Sequence, residues 1–215
     1  MARSAHRLQP YAGRVRGDPN VPEWEYLSSE PGYAGWLHVR RDQYRLPNGV
    51  VHEWDVLEQG RAIAVVPFTD RGTVVLFDQF RVGARRVLAE VPGGLVDAGE
   101  DVVHAGMREL LEETGYRPAA VFHVDGEWTA ASSERRKHAL VATGCEPVQA
   151  PEWEDTEHGL VHEVPVPEFI EHVLSGDLSD GGTVARALLV FVRSDDVPER
   201  MRATQHELRA VLLGR

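Results

Sequence analysis

From Val91 to Tyr116 the chain reads Val91-Pro-Gly-Gly94, then Glu100, then Asp101-Val-Val-His-Ala-Gly-Met-Arg-Glu-Leu-Leu-Glu-Glu-Thr-Gly-Tyr116. At 3.6 residues per turn, each residue of Asp101–Thr114 advances about 100° around a helix. Val103, Met107, Leu110, Leu111 and Thr114 then share an arc of about 80°, a stripe suited to anchoring on a sheet. Glu109, Glu112 and Glu113 gather within about 100° on the other side. Like charges one turn apart repel by a few tenths of a kcal/mol, so crowding them carries a small cost. Taken alone, such a face reads as ordinary solvated surface, because glutamate is a strong helix former.

The residues upstream change that reading. Five residues separate Gly94 from Glu100, and seven separate Glu100 from Arg108-Glu-Leu-Leu-Glu-Glu-Thr-Gly-Tyr116. This spacing resembles the signature of the Nudix hydrolases, and the resemblance implies a metal site: a hard cation such as Mg²⁺ takes oxygen ligands and keeps several waters, which suits carboxylates one helical turn apart. Glycines at 93 and 94 let backbone approach an ion and its phosphates closely. Gly115 is placed to end the helix in a left-handed cap.

Working outward, Ala62–Phe68, Thr73–Phe80 and Leu88–Val91 are short β-rich runs, with Asp70-Arg-Gly72 as a turn. Strands are expected near Ala119–Glu127, Arg135–Thr143 and Leu160–Val164, and helices near Pro167–Leu174, Thr183–Val192 and Pro198–Leu213. Strands interleaved with a few helices indicate an α/β or α+β sandwich. Ahead of these, Trp36–Leu46 and Val50–Glu58 flank Pro47-Asn-Gly and read as an antiparallel hairpin unit. Met1 to about Pro22 is polar and reads as an extended arm. The expected division is residues 1–60 as arm and hairpin unit, 61–197 as the main domain, and 198–215 as an appended helix.

Composition narrows the function classes. The formal net charge is −11, from 34 acidic and 23 basic residues. That balance argues against nucleic acid or an anionic membrane as the main partner, since both need cationic patches. A single cysteine, Cys145, excludes an intrachain disulfide and a four-thiolate zinc site. The N-terminal residues lack the apolar run of a secretory signal, and no stretch approaches a membrane span, so a cytoplasmic protein is expected. His158 and His162, four apart, flank Gly159 in β-like surroundings rather than a helix, and Ser132-Ser133 lacks the glycine-flanked elbow of an acyl-transfer serine.

The spacing from Gly94 to Tyr116 resembles the signature of the Nudix hydrolases, with Tyr116 standing at a position that is usually aliphatic. The resemblance implies an α/β/α sandwich with a mixed sheet, plus the N-terminal antiparallel unit. It implies Glu109, Glu112 and Glu113 as ligands of Mg²⁺ (or Mn²⁺), with Glu100 and the Gly93 carbonyl close by and Arg108 orienting a carboxylate. It further implies attack of water on a pyrophosphate linkage in a nucleoside diphosphate joined to another group. A carboxylate outside the helix often serves as general base, and Glu152, Glu154 and Glu157 in the loop before Leu160 are the candidates.

Asp78-Gln-Phe-Arg81 and Glu90-Val-Pro-Gly-Gly-Leu-Val-Asp-Ala-Gly-Glu100 are similar to the ADP-ribose pyrophosphatase branch. By that resemblance Arg81 and Gly94 contact substrate, and the hairpin unit serves a homodimer. Two positions depart from the branch. Trp128-Thr-Ala-Ala-Ser132 stands where a proline is common, and Glu53-Trp-Asp55 where an Arg-Glu pair is common. Trp54 is a candidate for stacking on a base. The expected reaction is ADP-ribose to AMP and ribose 5-phosphate. Other nucleotide sugars, (d)NTPs and a non-catalytic Nudix-like ligand sensor are the alternatives.

Overall fold

The computed structural model describes residues 17–58, 60–153, 155 and 157–213. The expected arm therefore lies outside the described residues as far as residue 16, and Glu154 lies outside them as well. The described residues divide into two compact units: 61–127 with 137–213, and 17–60 with 128–136.

The smaller unit is an antiparallel sheet in the order β1 (Glu25–Ala34), β2 (His38–Arg45), β3 (Val51–Leu57). The expected hairpin is β2–β3, with Asp42 opposite Trp54 and Tyr44 opposite His52. Strand β1 was not expected. It contains Pro31-Gly32 and shifts register between Tyr26 and Ser28 and between Pro31 and Tyr33, so its side chains do not alternate cleanly. Asp42 is 1% exposed. Its carboxylate is satisfied by the Ser29 hydroxyl at 2.7 Å and Arg40 Nε at 2.9 Å. The segment 128–136 joins this unit through Leu57, whose N–H donates to Ser132 O at 2.9 Å and whose carbonyl accepts from Glu134 N at 3.1 Å.

The larger unit is an α/β/α sandwich. Its central sheet runs β7 (Gly93–Leu95), β4 (Arg61–Pro67), β10 (Arg136–Thr143), β9 (Ala120–Trp128). Beside it, β5 (Thr73–Arg81) pairs antiparallel with both β6 (Arg86–Glu90) and β12 (Gly159–Pro165). The two-residue strands β8 (Tyr116–Arg117) and β11 (Glu146–Pro147) pair just past the first helix. Strand β4 is buried on both faces, as its unbroken apolar run requires. Ile63 and Val65 pack with Val103, Ala105 and Leu110 under helix α1 (Val102–Thr114). Ala64 and Val66 point the other way, into a core shared with Phe169, Leu188 and Phe191. Those residues belong to α2 (Val166–Ser175) and α3 (Gly181–Arg193).

The last helix, α4 (Arg202–Leu213), was expected as an appendage. Met201 just before it and Leu208 within it are fully buried in that same core. Its Gln205 donates to the carbonyls of Phe191 and Ser194 at 2.7 and 2.8 Å, which closes the C-terminal end of α3. No described helix is long and apolar enough to cross a membrane.

Candidate active site

Helix α1 begins at Asp101, whose carboxylate accepts from the N–H groups of Val103 and His104 at 2.9 and 3.3 Å. It ends at Gly115, with φ of 76°, whose N–H returns to Leu111 O at 2.8 Å. Between these caps the glutamates are not a solvated face. Glu113 is 4% exposed, and the Glu109 side chain is 13% exposed. Only Glu112, at 43%, opens widely to water.

Each carboxylate is placed by a named partner. Glu113 Oε2 accepts the Gly93 N–H at 2.8 Å. Strand β7 brings Gly93 there by pairing it with Ala64 on β4. Both glycines thus lie on a strand. A side chain at 93 would run into the Ile63 carbonyl, and one at 94 into the Glu109 carboxylate. Arg108 holds the remaining acids. Its Nη1 reaches Glu109 Oε1 at 3.0 Å and Glu112 Oε2 at 2.9 Å, while Nε and Nη2 take the two oxygens of Glu100 at 3.2 Å each. The last pair is the two-pronged geometry that guanidinium favours with a carboxylate.

One guanidinium does not neutralise four carboxylates. Burial pushes Glu113 up to about 8, against the pull of the Gly93 N–H, with Glu109 and Glu157 adding repulsion. Burial raises Glu109 too, with Arg108 opposing and Glu112 and Glu157 reinforcing. Glu100, by contrast, is lowered by its hydrogen bonds from Arg108. Desolvated, mutually repelling carboxylates beside an open-faced Glu112 make a set of oxygen donors short of positive charge. A hard divalent cation fits that set.

The remaining sequence candidates separate. Glu157 acts electrostatically on both Glu109 and Glu113, so the loop brings it to the cluster. Glu152 lies on another flank of α1, with no resolved effect on Glu109 or Glu113. Its N–H donates to Glu112 O at 2.8 Å, and its exposed carboxylate accepts from Gln149 at 2.9 Å. A cavity of about 840 Å³ opens on this flank, between Arg108 and Glu112 on the helix and Arg117, Glu146 and Glu152 opposite. Arg81 at the end of β5 is about one-third exposed, and its charge acts on Glu113. Trp54 belongs to the smaller unit, where its ring lies 4.9 Å from Trp24 and 4.5 Å from His52.

Two participants carried no role in the sequence reading. Glu90 is fully buried, 3.4 Å from Arg81 Nε, and accepts the Ser179 hydroxyl at 2.7 Å. Trp153 donates its indole N–H to Glu113 O at 2.8 Å and stacks on Phe77 at 5.4 Å. It ties the acidic loop to the C-terminal turn of α1.

A capped helix presenting buried carboxylates toward a glycine strand, inside an α/β/α sandwich, defines a Nudix hydrolase. The family model for the NUDIX domain matches residues 58–187, and the chain belongs to that family. It is 32% identical over 172 residues to the ADP-ribose pyrophosphatase of Mycobacterium tuberculosis, covering 78% of this chain and 83% of that protein. It is also 32% identical over 157 residues to the CMP-5'-(N-acetyl-N-hydroxy-3-aminopropyl)phosphonate hydrolase of Streptomyces rubellomurinus, covering 73% and 76%. A crystal structure of an ADP compounds hydrolase superposes with a TM-score of 0.70 over 87% of this chain and 98% of that one. At 19% identity, that likeness speaks for the fold.

Proposed function

We propose that the chain hydrolyses the pyrophosphate bond of a nucleoside diphosphate sugar with Mg²⁺ (or Mn²⁺), ADP-ribose first, giving AMP and ribose 5-phosphate. The observation that carries this reading is the buried Glu109–Glu113 cluster, pinned by Gly93 and Arg108 and short of positive charge. The relative in Mycobacterium tuberculosis, named an ADP-ribose pyrophosphatase, supports the substrate. The Streptomyces relative, named for a cytidylyl phosphonate, keeps other nucleotides as the second reading.

Glu109, Glu112 and Glu113 would hold the cation, with the Gly93 carbonyl and Glu100 at the margin. When bound, divalent ions neutralise phosphate oxygens and acidify water. The protein's own part is positioning and proton handling. Arg108 keeps Glu109 and Glu112 aimed at one place. Glu157, beside that place, takes the proton of the attacking water. Arg81, backed by buried Glu90, presents its guanidinium to the diphosphate, and Gly94 leaves room for the phosphate next to Glu109. For Trp54, the rings of Trp24 and His52 favour packing in the sheet over a platform for a base. The intact carboxylate set argues against a ligand sensor, which needs no such set. We further propose a cytoplasmic homodimer in which residues 1–60 serve the dimer contact.

A panel of nucleotide sugars and dNTPs with Mg²⁺, read by release of AMP, UMP or the matching monophosphate, tests the substrate. ADP-ribose should give the highest kcat/KM. A dNTP or CMP derivative turning over faster would replace it.

A further inference from the structure

A second group of metal-ligating side chains lies in the larger unit and takes no part in the chemistry proposed above. His123 and Asp125 on β9 and His138 on the neighbouring β10 bring one ligand atom each within 4.8 Å of one another. We propose that His123 and His138 bind a borderline transition-metal ion of the Zn²⁺, Co²⁺, Ni²⁺ class, with Asp125 as the supporting carboxylate.

The nitrogen spacing fits. His123 Nε2 lies 3.0 Å from His138 Nδ1. Two imidazole nitrogens each about 2.0–2.1 Å from one ion stand about 2.8–3.4 Å apart at angles between square and tetrahedral. The rings lie 18° from parallel, with centroids 5.2 Å apart, and share a hydrogen bond. Binding tips both rings so that the two lone pairs converge. The shared proton moves to the far nitrogen of the ring that carried it, so both histidines stay neutral.

The surroundings fit this arrangement. A side chain at Gly126 would place its Cβ 2.7 Å from His138 Nε2, so glycine there leaves the ring the space it occupies. Asp125 Oδ1 lies 3.9 Å from His123 Nδ1, on a side chain that is 64% exposed and free to rotate. Once Nε2 is committed to the ion, Nδ1 carries the proton and donates a hydrogen bond to Asp125. That carboxylate–histidine–metal arrangement fixes the tautomer and raises ligand basicity. His123 is 8% exposed, while the Asp125 side opens to solvent for entry and for water ligands. Two nitrogen donors select Zn²⁺, Co²⁺ or Ni²⁺ over Mg²⁺, whereas the α1 cluster is all oxygen. The two sites therefore differ in the ion they prefer.

The test is titration of chelator-treated full-length protein with Co²⁺ under saturating Mg²⁺, read by visible absorption and calorimetry. The wild type should bind about one Co²⁺ with bands characteristic of nitrogen ligation. His123→Ala and His138→Ala should abolish this, Asp125→Asn should weaken it about 10–100-fold, and Glu112→Gln should leave it intact. His138→Gln, checked by circular dichroism and thermal melting, keeps ring-sized bulk if alanine disturbs the sheet. No Co²⁺ uptake by the wild type, or equal uptake by wild type and folded His138→Gln, would overturn the proposal.

Discussion

Glu113→Gln separates the electrostatic account of the site from its packing. Glutamine keeps the oxygen that accepts the Gly93 N–H at 2.8 Å but cannot ionise. In the metal-free wild type, Glu113 titrates at about 8, raised from 4.5 by burial. The native state thus holds a proton that the unfolded chain has already released, so stability falls as pH rises between these two values. The contribution is complete below about 4.5 and gone above about 8. The slope is about 1.4 kcal/mol per pH unit, giving a loss on the order of 2 kcal/mol from pH 6 to pH 8. For a chain of this size that is a fall in Tm of roughly 4–8 °C. Glu113→Gln should lack most of that fall and melt above the wild type at pH 8 in chelator. Saturating Mg²⁺ should reverse the order, since an ion at about 100 times its Kd stabilises by about 2.7 kcal/mol and the variant forfeits much of this. Differential scanning fluorimetry at pH 6 and pH 8, with EDTA or Mg²⁺, gives all four comparisons. Parallel pH slopes for the two proteins in EDTA would refute the reasoning.

Glu157→Gln should lower kcat by about 10²–10⁴-fold with KM little changed, whereas Glu152→Gln should leave both near wild type. Steady-state kinetics with ADP-ribose decides between them, and equal effects would remove Glu157 as the base. Gly94→Ala drives a Cβ into the Glu109 carboxylate, so Mg²⁺ affinity measured by calorimetry should drop at least about tenfold. Phe191, fully buried and 5.3 Å from Phe122, should cost about 3–5 kcal/mol on truncation to alanine, measured by urea unfolding.

The reaction-bearing helix was legible because its information is local. Asp101, the glutamates and Gly115 sit within one element, and Gly94 and Glu100 add fixed spacing just ahead of it. What sequence could not show was that Glu113 and most of Glu109 are withdrawn from water. That depends on β7 pairing with β4, which a three-residue strand rich in glycine does not announce. Glu90 was missed because its partner Ser179 is 89 residues away, and Trp153 because it reaches back 40 residues to Glu113. Glu152 and Glu157 were equivalent as letters, and it is the path of the loop that lets Glu157 act on Glu109 and Glu113, while Glu154 lies outside the described residues. The last helix showed its apolar stripe but not its partner, which Met201 and Leu208 supply by burying in the core.

The central claim is that the α1 carboxylates, loaded with a divalent cation, carry out pyrophosphate hydrolysis. Single-turnover hydrolysis of ADP-ribose by wild type, Glu112→Gln and Glu113→Gln, with Mg²⁺ and with EDTA, tests it most directly. The account predicts equal amounts of AMP and ribose 5-phosphate from the wild type with Mg²⁺, and at least about 10²-fold slower release in EDTA or from either variant. Release at the wild-type rate from both variants, or in EDTA, would contradict it.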